Sequence, residues 1–159
     1  MFLLLTLPIL ALAQIKNLVN LRGQLDRCCF RQQRQIPWLV CTAQYANLTL
    51  FPFARFSATC SNRIIYWPFP SVFESQRPLY LAENDNGSIV LDARETLYTQ
   101  WIGTNDPGRY SILTGSNDAS IVDVVKCMVV DWTKVLYKDG ARNSLVQNMI
   151  PLNSTILYA

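Results

Sequence analysis

Cys28 and Cys29 stand side by side, and Cys41 follows after a basic, polar run that ends in Ile36-Pro37. Neighbouring cysteines are badly placed to bond each other. Their Cα atoms sit about 3.8 Å apart, whereas a disulfide wants about 4.4–6.8 Å with facing Cβ vectors. Each therefore needs a partner elsewhere, which makes the segment a staple point in an oxidising compartment. Cys60 and Cys127 complete the set. Excluding a 28–29 bond leaves two pairings among the first four, with Cys127 left over. Alternatively Cys127 joins the two parts of the chain and another thiol is left over. A four-thiolate zinc site would compete for these sulfurs, but secretion argues against it and the chain has no histidine. No metal or cofactor is expected.

The compartment is read from the start of the chain. Residues 1–13, MFLLLTLPILALA, are apolar and uncharged and end in Ala11-Leu12-Ala13. The small-x-small ending is what signal peptidase accepts. The run falls short of the roughly 20 residues that span a bilayer, and no later run expects an anchor. Asn47-Leu48-Thr49, Asn86-Gly87-Ser88 and Asn153-Ser154-Thr155 are glycosylation candidates on the same route.

Charge divides the chain. Between Gln14 and Tyr66, Lys16, Arg22, Arg27, Arg31, Arg34, Arg55 and Arg63 face Asp26 alone. From Trp67 on there are seven basic and ten acidic residues. Opposite signs point to two units with different partners, or to two units that face each other. From Ile15 to about Gln35, Leu18, Leu21, Leu25 and Cys28 recur at helical spacing, with Arg27, Arg31 and Arg34 stepping along another face. Ile36-Pro37 ends that helix. The arginine row is an anion-binding candidate for sulfated glycans, lipid headgroups or acidic proteins; otherwise it is a solvated face.

Thr42 to Tyr66 is aromatic, and Pro52 limits any strand there to an edge or a short piece. Trp67-Pro68-Phe69-Pro70 reads as a boundary. Beyond Pro78, the segments 79–82, 89–93, 96–102, 110–114, 121–130 and 134–137 are rich in β-branched and aromatic residues. Asn84-Asp85-Asn86-Gly87, Asn105-Asp106-Pro107-Gly108, Asn117-Asp118 and Asp139-Gly140 supply turns between them. The expectation is an α+β chain, mainly β. A leader (1–13) precedes a stapled helical module (14–66), a linker (67–77) and an antiparallel β-sandwich-like unit (78–159).

Leu25-Asp26-Arg27-Cys28-Cys29, Ile36-Pro37 and Cys41 resemble the opening of the nematode DB module, a cysteine-rich extracellular module. The resemblance covers about twenty residues. Such modules stand beside immunoglobulin-like or fibronectin-III-like domains. Val135-Leu136-Tyr137-Lys138-Asp139-Gly140 and Leu152-Asn153-Ser154-Thr155-Ile156-Leu157-Tyr158 are similar to strands of the latter. It implies an adhesion or matrix module and carries over no catalytic residue; on this alignment the sequence ends at Ala159 before the last strands, so either the domain is incomplete or the register is wrong.

The absence of histidine removes Ser-His-Asp and Cys-His nucleophile systems. Glu83, Asp85, Asp92 and Glu95 read as turn or surface acids, and Gly87, Gly103, Gly108 and Gly115 form no phosphate loop. The expectation is a secreted, non-catalytic interaction or matrix protein that binds extracellular proteins or anionic glycans and no nucleic acid. The alternative is a secreted carrier of a small hydrophobic ligand in a β-barrel.

Overall fold

The computed structural model describes residues 15–21, 38–108, 111–113, 115, 117–149, 151–154 and 156. Strands β1 (Asn17–Asn20), β2 (Thr49–Pro52), β3 (Thr96–Gln100) and β4 (Asn143–Val146) form one sheet in the order β2-β1-β3-β4. Every pairing is parallel. The molecule is therefore α/β, and the antiparallel, mainly β sandwich expected from the sequence is overturned.

Parallel neighbours need a crossover between them, and helices supply it. Helix α1 (Trp38–Tyr45) lies between β1 and β2. A π-helical turn, Val72–Gln76, runs into α2 (Arg77–Asp85) between β2 and β3. Helix α3 (Ile121–Val125), a π-helical stretch (Lys126–Asp131) and α4 (Trp132–Lys138) lie between β3 and β4.

Register divides the sheet's side chains. Leu18 pairs with Leu50 and Leu97, and this face packs on Leu39 and Ala43 of α1. Val19 pairs with Phe51 and Tyr98, and that face packs on Val72, Tyr80, Val124, Met128, Trp132 and Leu136. A sheet covered on both faces needs near-continuous apolar strands. That is why Leu18, read as part of a helical stripe, and its neighbour Val19 sit in a strand with both side chains buried.

The segments 79–82, 121–130 and 134–137, read as strands, fall in helices. Pro78 sits in the first turn of α2, where its missing N–H is not needed. Ser120 caps α3 by accepting from the Asp123 amide. From there Val124, Met128, Trp132 and Leu136 form one buried stripe at four-residue spacing. Intrinsic β preference spans only about 1 kcal/mol, whereas each buried side chain contributes about 1.5–3 kcal/mol, so the stripe decides. No strand forms at 89–93, and 111–113 is a turn. The fibronectin-like stretch 135–140 is the end of α4 and its turn, with Gly140 at φ +99°.

The Trp67–Pro70 break does not interrupt the sheet. β1 and β2 precede it, β3 and β4 follow it, and Phe53, Cys60 and Ile65 share one buried cluster with Val72, Tyr98 and Trp132. Cys60 is bonded to Cys127 across 67 residues, tying the loop after β2 to the π-helical stretch.

Candidate functional site

The chain travels one way across the sheet from β1 to β2, then back past β1 to β3 and on to β4. In open α/β sheets, ligands bind outside the carboxyl ends of the strands, at the point where this travel reverses. Here that point lies between the ends of β1 and β3. The loop after β3, from Trp101 onward, is fastened there to the loop after β2. Asn105 Nδ2 donates to the Ala58 carbonyl (3.0 Å), and the Cys60 amide donates to Asp106 Oδ1 (2.8 Å). Ser111 Oγ closes the loop on the Asp106 carbonyl.

Asp106 is 1 % exposed, and its Oδ2 has no hydrogen-bond partner. Burial pushes its carboxyl up to about 6, against the smaller opposing pull of the Cys60 amide. Glu74 goes the other way. Burial raises it, but hydrogen bonds from Ser61 Oγ, Ser71 Oγ and the Asn62 amide outweigh that and hold it below the ordinary range. Glu74 thus stays ionised and fixes the loop that carries Cys60. The Tyr80 and Tyr98 hydroxyls share a 2.9 Å hydrogen bond in the core, and burial raises both. Neither is a base near neutral pH.

Beside this crevice a cleft of about 380 Å³ opens at the carboxyl ends of β3 and β4. Gly103 and Pro107 form one wall, Val146, Gln147 and Met149 another. Ile121, Val125, Met128 and Val129 close the third side from the helical segment. The lining is almost wholly apolar. Gly103 is required: at φ +119°, an added Cβ would lie 2.7 Å from Met128 Cε and 3.2 Å from Met149 Sδ. The two thioethers are flexible and polarisable, so they adapt to a guest's shape. The mouth is apolar too, with Ile121 and Val125 about half exposed.

Two other hollows are less suited. One of about 280 Å³ lies under α1, lined by Leu18, Trp38, Leu39 and Leu97. The other, about 410 Å³, is shallow and rimmed by Arg63, Lys126, Asp123 and Asp131, whose charges cancel.

Of the residues singled out by sequence, Arg27, Arg31, Arg34, Cys28 and Cys29 lie outside the described residues, as does the segment 1–13. Cys60 and Cys127 are brought together, and Cys41 carries a free, half-buried thiol. Asn47 is exposed at φ 52° in the turn before β2, and Asn86 is exposed at the end of α2. Asn153 falls in the 3-10 turn Leu152–Ser154. Among the described residues no cluster of three histidines, cysteines or carboxylates is set to hold a metal. No described helix is long and apolar enough to cross a membrane.

Sequence reasoning took Asn105-Asp106-Pro107-Gly108 for a turn and missed the buried carboxyl in it. It also missed the cleft, although β-branched residues on the outer face of one helical stripe were a signal. No protein-family model matches the chain, and no curated protein matches it significantly.

Proposed function

We propose that the chain is a secreted, non-catalytic binding protein that holds a small apolar ligand in the cleft between β3, β4 and the helical segment 121–129. The cleft itself is the observation that carries this reading. It is concave, apolar, walled by three separate elements and placed at the carboxyl ends of β3 and β4, next to the point between β1 and β3 where open α/β sheets take ligands. The open parallel sheet excludes a barrel over the described strands, so the ligand sits at the sheet's end rather than inside it. The Cys60–Cys127 bond supports an oxidising compartment, as do the apolar leader and the exposed sequons at Asn47 and Asn86. Anionic glycans or partner proteins would meet the same molecule through Arg27, Arg31 and Arg34.

The test is native mass spectrometry of the full chain titrated with a fluorescent apolar dye. Val125 is 52 % exposed at the mouth, so Val125→Trp blocks entry without rebuilding the core. The expected result is one dye per chain, lost in that variant. Dye binding that ignores the substitution, or no saturable binding, would overturn the reading.

A second reading, an enzyme, is favoured by Asp106. Burial raises its carboxyl to about 6, a range suited to proton transfer near neutral pH, and the next residue, Pro107, lines the cleft. It requires turnover, in a panel of acyl, glycosyl and phosphoryl substrates, with a pH–rate limb near 6 that Asp106→Asn removes.

A further inference from the structure

The cleft is not uniformly apolar, and one polar atom of its lining is unsatisfied. Gln147 lines it, and the Gln147 Oε1 atom is buried without a hydrogen-bond partner. The residue is not on a loose loop: its amide donates to the Gln100 carbonyl at 2.8 Å, which extends the β3–β4 pairing by one step. Asn148 follows it on the same wall. Gln100 is wholly buried, and neither its Oε1 nor its Nε2 has a partner. Gln100 and Val146 are register partners, so their side chains stand on the same face of the sheet, and Val146 lines the cleft. Two buried carboxamides thus stand at the carboxyl ends of adjacent strands with bonding capacity unused, and Gln147 is the one that lines the cleft. Buried polar atoms are nearly always paired, by protein, water or ligand. A buried amide without a partner beside an apolar hollow is a demand for a polar group on whatever fills the hollow.

Resting on the binding function proposed above, we propose that the ligand is an amphiphile: an apolar body with one hydroxyl head, held by the carboxamide of Gln147. The carboxamide has a carbonyl that accepts and an NH2 that donates, and a hydroxyl answers both. A charged head does not suit the site, because the lining offers no counter-ion among the residues that form it. The body lies against Met128, Met149 and Val125, and the head points to the β4 wall.

The test uses two probes of equal apolar length, 1-octanol and octyl methyl ether, titrated into the full chain by calorimetry. The alcohol donates and accepts; the ether only accepts. The alcohol should bind about tenfold more tightly, the weight of one net hydrogen bond. Gln147→Leu should bring the alcohol down to the ether's affinity and leave the ether unchanged or slightly improved. Equal affinities in the unaltered protein overturn the hydroxyl assignment while leaving apolar binding in the cleft intact. Discrimination that survives Gln147→Leu overturns the role of Gln147. Failure of both probes to bind overturns the inference together with the function on which it rests. The comparison between the probes needs no variant, so a Gln147→Leu protein that fails to fold does not shield the proposal.

Discussion

Asp106 and Cys60 hold two loops of the sheet's carboxyl end together through one hydrogen bond, from the Cys60 amide to Asp106 Oδ1 at 2.8 Å. The second carboxylate oxygen is buried and unpartnered, so the charged form is the costly one. Burial raises the carboxyl from an ordinary 3.8 to about 6. A group raised on folding contributes stability that is fully present below its unfolded value and is lost as pH climbs through its folded value. The loss therefore falls between about pH 4 and pH 7. At about 1.4 kcal/mol per pH unit, ionisation costs about 3 kcal/mol. Melting temperature should fall from pH 5 to pH 8, and Asp106→Asn should flatten that fall. A variant with the slope of the parent would refute the assignment.

The Cys60–Cys127 bond closes a loop of 67 residues. For a loop of that size, chain entropy alone gives the cross-link about 4 kcal/mol. That is a large share of the roughly 5–15 kcal/mol by which domains are stable. Denaturant midpoints with and without a reductant should differ accordingly, and Cys60→Ser should match the reduced protein. The bond also carries one end of the Asp106 contact, so reduction should blunt the pH slope as well.

How much of this was legible follows from the particular residues. Trp67-Pro68-Phe69-Pro70 breaks the chain locally, yet the sheet forms across it because parallel pairing is settled between distant segments. Local pattern carries no information about which strands become neighbours. β3 was readable, since Thr96–Gln100 sits inside the stretch expected to be extended. Pro52 indeed closes a four-residue strand at the sheet edge. The helices were misread because Ile121, Val122, Val125, Val129 and Val130 favour strands, although the four-residue spacing of Val124, Met128, Trp132 and Leu136 was present in the same stretch. The site was hidden for a different reason. Asp106 and Cys60 are 46 residues apart, and nothing in either neighbourhood names the other.

Arg77 and Asp139 join the start of α2 to the turn after α4 by two parallel hydrogen bonds, 2.7 Å from Nε and 2.8 Å from the second guanidinium nitrogen. The hydrogen bonds to Asp139 raise the guanidinium further, against a smaller effect of burial. Both side chains are mostly shielded, at 29 % and 11 % exposed, so the pair lies between a surface bridge and a buried one. Arg77→Ala should cost about 2 kcal/mol. Arg77→Lys should recover only part of it, because an ammonium cannot make the paired contact. Thermal unfolding of the two variants distinguishes the paired geometry from charge alone.

The arginine row is tested apart from the fold. Replacing Arg27, Arg31 and Arg34 together by Ser removes three of the seven basic residues before Trp67. If anionic glycans are bound there, the triple variant should leave a heparin resin at clearly lower salt than the parent, since charge attraction is screened by ions. Elution at the same salt would remove that partner class.

Gly103 decides whether the cleft is a built site or an accidental gap. Its φ of +119° is a conformation that side-chain-bearing residues rarely adopt, so Ala there is strained before any contact is counted. The added Cβ would then meet Met128 Cε and Sδ at 2.7 and 3.1 Å and Met149 Sδ at 3.2 Å. Thioether ends move cheaply, so the contact alone displaces both methionines into the hollow they line. Gly103→Ala should therefore cost about 1–3 kcal/mol of stability through the backbone and abolish dye binding through the side chains. Adding Met149→Ala should reopen space and restore binding without restoring stability, because the backbone strain remains. A double variant that does not regain binding would mean that Gly103 shapes the loop alone; one that regains binding places the guest in the space that the displaced Met149 had filled.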